Sequence, residues 1–349
     1  MAILSIEVIL KEAEFGAPPP EQAGIYGVDF PSSKAQICVL GVPWDATSSY
    51  GSGSFRAPEA IRKASHQMDL MDQFFGPTYR YGIQLEILQN IERKNFVARK
   101  LVSNVLDAYA AGEQPDPKDL KRVNELSVEV MGEVAGKVKQ LLENNKIVGV
   151  LGGDHSVSKP IIAALSALQS FGVLHLDAHH DLREAYEGFN DSHASVFYNI
   201  MKDDLITKLV SVGLRDFSHA EREFADKDSR ISSHYNEELF ARKSSGHSWQ
   251  SICDEIVTQL PEKVYISFDI DGLSPLYCPS TGTPVPGGLT YDEAVYLIHQ
   301  VVISGRKVIG FDLVEVVPAA AGEWDSNVGA RLLYKLCGAA GKSQEKMVY

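Results

Sequence analysis

Positive charge is what this chain is short of. Its 33 Lys and Arg stand against 46 Asp and Glu, for a formal net charge of -13, and no Lys/Arg-rich block offsets the balance. A phosphate backbone would be repelled by such a surface, which argues against nucleic-acid binding. Cysteine is also scarce: Cys38, Cys253, Cys278 and Cys337 are widely scattered, with neither a disulfide framework nor paired zinc spacing. They read as free thiols in a reducing compartment. No run of about 18 apolar residues suggests a membrane span. Residues 1–15 have no basic n-region, and Glu7 interrupts their apolar run, so they do not read as a secretory signal. Internal repeats and low-complexity segments are missing too. The expectation is a cytoplasmic protein that meets neither nucleic acid nor membrane.

What is there suits a large core: 349 residues, 44% of them hydrophobic. Residues 1–35, with Pro18-Pro19-Pro20 and Pro31-Ser32-Ser33, read as an irregular amino-terminal arm over the surface or a neighbouring subunit. From residue 36 to 349 one domain is expected. Short apolar strands are predicted at 37–41, 147–151, 171–176, 209–213, 264–268 and 307–311. Between them lie helical signals. Val123, Leu126, Val130, Val134, Val138 and Leu141 recur at three- and four-residue spacing. Pro58 suits the first turn of a helix, further helices are expected at about 160–170 and 249–259, and Thr290 with Glu293 fits a capping box. Short, continuously apolar strands alternating with helices indicate an α/β fold: a three-layer αβα sandwich around a central, mainly parallel sheet.

The polar clusters all follow strands, where open α/β sheets build their sites. Asp177-Ala178-His179-His180-Asp181 follows the strand at 171–176, and Asp269-Ile270-Asp271 closes the strand at 264–268. In an extended chain residues two apart share a side, so Asp177, His179 and Asp181 should converge, as should Asp269 and Asp271. Four carboxylates so close together repel one another unless cations lie among them. His155, on the Gly-rich turn after the strand at 147–151, supplies a second imidazole. This hard set without thiolate suits Mn²⁺, with Co²⁺ or Ni²⁺ as alternatives, better than structural zinc. Six ligands are too many for one ion that keeps a position open, and fit two ions with a water between them, which becomes a nucleophile near neutral pH.

At these residues the chain resembles the ureohydrolases: arginase, agmatinase, formiminoglutamase and their relatives. The resemblance rests on Gly152-Gly153-Asp154-His155-Ser156, Asp177-Ala178-His179-His180-Asp181, Ser192-His193-Ala194-Ser195, Ser267-Phe268-Asp269-Ile270-Asp271, the Thr-Gly-Thr-Pro-Val-Pro-Gly-Gly run at 281–288, and Val314-Glu315. It spans roughly residues 37 to 337. It implies two Mn²⁺ per subunit held by His155, Asp177, His179, Asp181, Asp269 and Asp271. It implies His193 as the proton shuttle near the leaving amine and Glu315 as the carboxylate that pairs with the substrate guanidinium. The implied reaction is hydrolysis of a small cationic guanidino compound to urea and an amine, in a homo-oligomer, a trimer or hexamer.

Arg183 and Ser218 fall where arginases read the amino-acid end of arginine, which argues against arginine. The stretch Asp181-Leu182-Arg183-Glu184-Ala185-Tyr186-Glu187-Gly188 looks agmatinase-like, making agmatine, cleaved to putrescine and urea, the first choice. Other guanidines, free guanidine included, remain the alternative. Ser274, Cys278-Pro279-Ser280 and a long segment at about 63–122 depart from the agmatinase pattern. The rival class is a mononuclear zinc deacetylase, which needs fewer carboxylates and a site tyrosine. Other residues carry blander readings. Asp154 is expected to orient neighbours, His175 to stand behind Asp177, and His180 to point away from the metals. His66, His219, His234, His247 and His299 are read as surface or satisfied polar groups, and Trp44 and Trp324 as core.

Overall fold

Apolar runs bounded by glycine and polar turns become the interior of one sheet. The computed structural model describes residues 19–48 and 50–345. Among these, eight strands run β1 (Ile37–Gly41), β2 (Ile83–Ile87), β3 (Ile147–Leu151), β4 (Phe171–Leu176), β5 (Ile206–Leu214), β6 (Ile231–Tyr235), β7 (Lys263–Asp269) and β8 (Lys307–Val314). All pair in parallel, in the order β2-β1-β3-β8-β7-β4-β5-β6. β1, β3 and β4 occupy the ranges read from their sequences and are buried at every position. That is the condition of a parallel strand covered on both faces.

Alternation then sorts the apolar side chains into two layers. Leu40, Val148, Val150, Val173 and Tyr265 pack under the helices Gln89–Ala110, Pro117–Glu143, Ser158–Ser166 and Val196–Ile200. Val39, Ile147, Leu174, Ile266 and Phe311 pack under Ala57–Ala64, Trp249–Thr258, Tyr291–Ile303 and Trp324–Ser343. The result is the expected αβα sandwich. The amphipathic stripe at 123–138 is the buried face of the helix Pro117–Glu143, whose N-cap Asp116 accepts from Lys118 N. The box at Thr290 caps Tyr291–Ile303 as expected.

Two segments without predicted elements acquire them. Residues 63–122 contain β2 and most of a helical hairpin, Gln89–Ala110 against Pro117–Glu143. Of the amino-terminal arm, residues 1–18 lie outside the described residues. Residues 19–35 hold a 3-10 turn, Ile25–Gly27, between two hydrogen-bonded turns; Ile25 and Tyr26 are buried there and Tyr26 OH donates to Ala330 O at 3.2 Å. No helix among the described residues is long and apolar enough to cross a membrane.

In this strand order β3, β8, β7 and β4 stand side by side at the sheet centre. Their carboxyl ends deliver His155, Glu315, Asp269 and Asp177 to one place.

Candidate metal centre

Except for Asp269, the last residue of β7, each chemical side chain emerges from a turn or loop rather than from extended strand. β4 stops at Leu176 and β7 at Asp269, with Asp271 in a single 3-10 turn, Ile270–Gly272. The extended alternation expected for Asp177, His179 and Asp181 therefore does not hold. They converge because the chain bends back on itself, with Asp181 at φ 54°. Glu315 likewise sits at φ 60°. Left-handed backbone at a non-glycine residue costs about 1–3 kcal/mol and persists only where the surroundings impose it. Here they do: Phe197 N and Tyr198 N donate to Asp181 O at 3.0 and 3.3 Å, and Glu315 N donates to Gly153 O at 2.9 Å. Gly153 itself has no room for a side chain, since a Cβ would lie 1.8 Å from Trp44 O.

Asp154 faces away from the cavity. It accepts from Ser156 N at 3.1 Å, from Thr47 N at 3.1 Å and from Thr47 Oγ1 at 2.9 Å. Thr47 Oγ1 accepts in turn from His193 N at 3.1 Å. The loop after β1, the turn after β3 and His193 are thereby tied together.

The six expected ligands form two groups that share Asp177. His155 Nδ1 lies 3.2 Å from Asp177 Oδ2, 2.9 Å from Asp181 Oδ2 and 3.4 Å from Asp269 Oδ2. His179 Nδ1 lies 3.4 Å from Asp177 Oδ1 and 3.2 Å from Asp271 Oδ2. Donors bound about 2.1 Å from a common ion stand roughly 3 Å apart, so both groups have the spacing of a coordination shell. His155 Nδ1 is buried and has no hydrogen-bond partner. The chemistry of the donor set and this orphaned nitrogen both fit divalent cations.

Electrostatics points the same way. Burial, then Asp271 and Asp177, push Asp269 well above the usual carboxylate range, and burial, then Asp177, raise Asp181. Burial opposes charge on His155, yet Asp177, Asp181 and Asp269 overcome it and hold its pKa well above the ordinary imidazole value. Burial also opposes charge on His179, which Asp271 and Asp177 outweigh. Without cations the cluster has to take up protons to relieve its own repulsion.

The cavity above these groups measures about 130 Å³ and is lined by His155, His179, Asp181, Asp269, His193 and Glu315 on the inside. Burial, then Asp269 and Asp154, push the Glu315 carboxyl well above its usual range, and Glu315 Oε1 accepts from His155 N at 3.0 Å. Burial, then His179, lower the His193 pKa to about 4, leaving a neutral imidazole. The 281–288 loop closes one wall, with Thr281 Oγ1 donating to Glu315 O and Thr283 Oγ1 to Asp271 Oδ2, at 2.8 and 3.2 Å.

On the outer wall, sequence reasoning picked out Arg183 but not Asp216 or Glu221. Arg183, Tyr186, Asp216 and Glu221 line it. The Arg183 guanidinium lies 4.5 Å from the Tyr186 ring centre, and its Nε is 3.5 Å from Glu221 Oε2. Ser218 is occupied as the cap of the helix His219–Lys227, in a box with Glu221. Only that box, Ser218 with an acid three residues on, could have flagged Glu221. Arg215 clamps two loops, donating to Asp271 O at 2.6 Å and Val285 O at 3.0 Å. His180 packs against Phe217 and Tyr235, away from the cluster. Trp44 is core as expected, whereas Trp324 is half exposed and donates to Leu276 O.

Comparison with known proteins agrees with this geometry. A sequence model of the arginase family matches residues 35–338. The chain is 33% identical to N(1)-aminopropylagmatine ureohydrolase of Thermus thermophilus, over 90% of this chain and 93% of that one. Agmatine ureohydrolase of Thermoplasma volcanium superposes with a TM-score of 0.66 at 25% identity, covering 91% of this chain and 94% of that chain. Arginase from Medicago truncatula superposes with a TM-score of 0.66 at 25% identity, covering 88% of each.

Proposed function

The chain belongs to the arginase family and is a ureohydrolase acting on amidino carbon–nitrogen bonds, and we propose that it hydrolyses agmatine, giving urea and putrescine, at a dinuclear metal centre. The observation that carries this reading is the pair of histidine–carboxylate groups sharing Asp177 beneath Glu315 in one cavity. His155, Asp177, Asp181 and Asp269 would hold one ion, and Asp177, His179 and Asp271 the other. Manganese suits these donors best, with Ni²⁺ or Co²⁺ as alternatives. When bound, the ions would supply an acidified water and the positive charge that the crowded carboxylates lack.

The protein's own side chains do the rest. Glu315 is a buried carboxylate short of positive charge, and an incoming guanidinium provides it through two parallel hydrogen bonds. That pairing fixes the guanidinium carbon over the metal ligands. As water adds it gives up a proton, and as the carbon–nitrogen bond breaks the leaving amine needs one; neutral His193 at the cavity wall is placed to take the first and pass it to the second. Thr47 and the 281–288 loop hold His193 and Glu315 in place and narrow the way for bulk water.

The outer wall favours a cationic tail. Among the described residues Arg183 is the one Lys or Arg in the lining, and it is engaged by Glu221, while Asp216 stands toward solvent with its side chain 68% exposed. The T. thermophilus relative supports a second reading, agmatine extended by an aminopropyl group, which carries a further cation. The four cysteines are buried and unpaired, which supports cytoplasmic residence, and the family likeness supports a homo-oligomer. A urea-release screen over agmatine, aminopropylagmatine, guanidinobutyrate, arginine and guanidine, with Mn²⁺ and Ni²⁺ in parallel, tests the reading. Agmatine or its aminopropyl derivative should lead; faster turnover of an anionic or tailless guanidine would overturn the substrate assignment.

A further inference from the structure

A row of polar side chains crosses the sheet just behind the metal ligands. Ser211 of β5 is in register with His175 of β4, His175 with Ser267 of β7, and Ser267 with Asp312 of β8. None is more than 1% exposed. Each interrupts an apolar strand: His175 stands between Leu174 and Leu176, Ser267 between Ile266 and Phe268, Asp312 between Phe311 and Leu313. Burying polar groups is costly unless every one is hydrogen-bonded, so four in a line invite the question of what they serve.

Their hydrogen bonds answer it. The Asp312 carboxylate accepts from Tyr265 OH at 2.7 Å and from Phe268 N at 3.1 Å. Ser267 Oγ lies 3.0 and 2.9 Å from its two oxygens. A carboxylate can only accept, so the single Ser267 hydroxyl proton goes to Asp312. The Ser267 oxygen is then an acceptor for His155 Nε2, which lies 2.9 Å away. An imidazole that carries its proton on Nε2 presents Nδ1 as a bare lone pair. Nδ1 is the orphaned atom that faces Asp177, Asp181 and Asp269. On the other half of the row, His175 Nε2 donates to Asp177 Oδ2 at 2.8 Å, and Ser211 Oγ lies 3.0 Å from His175 Nδ1. The Phe197 ring covers both imidazoles, its centre 5.4 Å from that of His155 and 4.1 Å from that of His175.

We propose that Asp312 and Ser267 are positioning residues that select the Nε2-protonated tautomer of His155 and aim its Nδ1 at an ion. The proposal rests on the metal-centre reading and concerns how an ion is held, whatever guanidine is cleaved. Neither residue touches substrate.

The test is a chelator titration of Mn²⁺-loaded protein, with released Mn²⁺ read by electron paramagnetic resonance. Ser267→Ala and Asp312→Asn should each weaken one ion about 10–100-fold, the usual effect of losing an outer partner of a ligand. Ser267→Thr keeps the hydroxyl and should hold that ion as wild type does. Tyr265→Phe removes a bond to the same carboxylate without breaking the link to His155, and should leave both affinities unchanged. Wild-type affinities in Ser267→Ala would overturn the proposal. So would equal weakening by Tyr265→Phe and Asp312→Asn, which would make the row a packing feature alone. Should Asp312→Asn fail to fold, Ser267→Ala decides. A wild-type protein that holds only one ion would instead contradict the dinuclear reading, and Ser267→Ala would still test the hold on that ion.

Discussion

On the floor of the cavity Asp177, Asp181, Asp269, Asp271, Glu315 and His155 are all buried, and they come from the carboxyl ends of four adjacent parallel strands. At the rim Arg183, Tyr186 and Asp216 stand on loops, partly or largely in water. The floor stores strain, at Asp181 and Glu315, and the surrounding backbone holds it there. The rim carries an aromatic–guanidinium contact and an ion pair that a small ligand can displace. The difference separates two tasks. On the proposed function, chemistry that must not drift is built into the sheet ends, and the choice of substrate tail is left to parts that tolerate change.

Damage to the two regions should therefore read out differently. Asp271→Ala removes a proposed metal ligand from the floor, and turnover should fall about a thousandfold or more with loss of one ion by elemental analysis, because several kcal/mol of transition-state stabilisation go with it. Glu315→Gln keeps the shape but removes the buried charge. A drop of about 100–1000-fold in kcat/KM is expected with both ions retained, a split that steady-state kinetics and metal content together would show. His193→Asn should lower kcat about 100-fold and leave metal content alone. Loss of an ion in that variant would make His193 a ligand. At the rim, Asp216→Asn should raise KM for agmatine by roughly 2–5-fold, the scale of an exposed ion pair, and less for guanidinobutyrate. Equal effects on both substrates would remove Asp216 from tail recognition. Outside both regions, Thr290→Ala should cost about 1 kcal/mol of stability in denaturant titration and leave turnover unchanged.

The same contrast governs what could be read from residues alone. The interior strands β1, β3 and β4 were legible to the residue because burial on both faces demands apolar runs, broken in β4 only by His175. The edge strands β2 and β6 were not. Ile83–Ile87 and Ile231–Tyr235 are fully buried only at their first residue, so polar side chains break the pattern. The helix Gln89–Ala110 was hidden in the same way, since its buried face is only Ile91, Asn95, Ala98, Val102 and Val105 among charged neighbours. The floor of the site was legible because carboxylates and imidazoles crowded at strand ends repel one another and call for cations. Their convergence comes from turns, however, and not from the extended geometry that their two-residue spacing suggests. The rim was legible only at Arg183: Glu221 reads as an ordinary capping acid until the fold sets it beside that residue. Asp312, and Ser267 beyond its place in the 267–271 motif, gave no sign of this role for a related reason. A single polar residue in a strand gives no sign of its neighbour until register pairs the two.

The central claim is that Asp177 is shared between two ions, and the most direct measurement is metal stoichiometry per chain after loading with Mn²⁺ and removal of the excess. Sharing predicts two ions in the wild-type protein and fewer than one retained in Asp177→Ala. One ion in the wild type, or two in the variant, would contradict it.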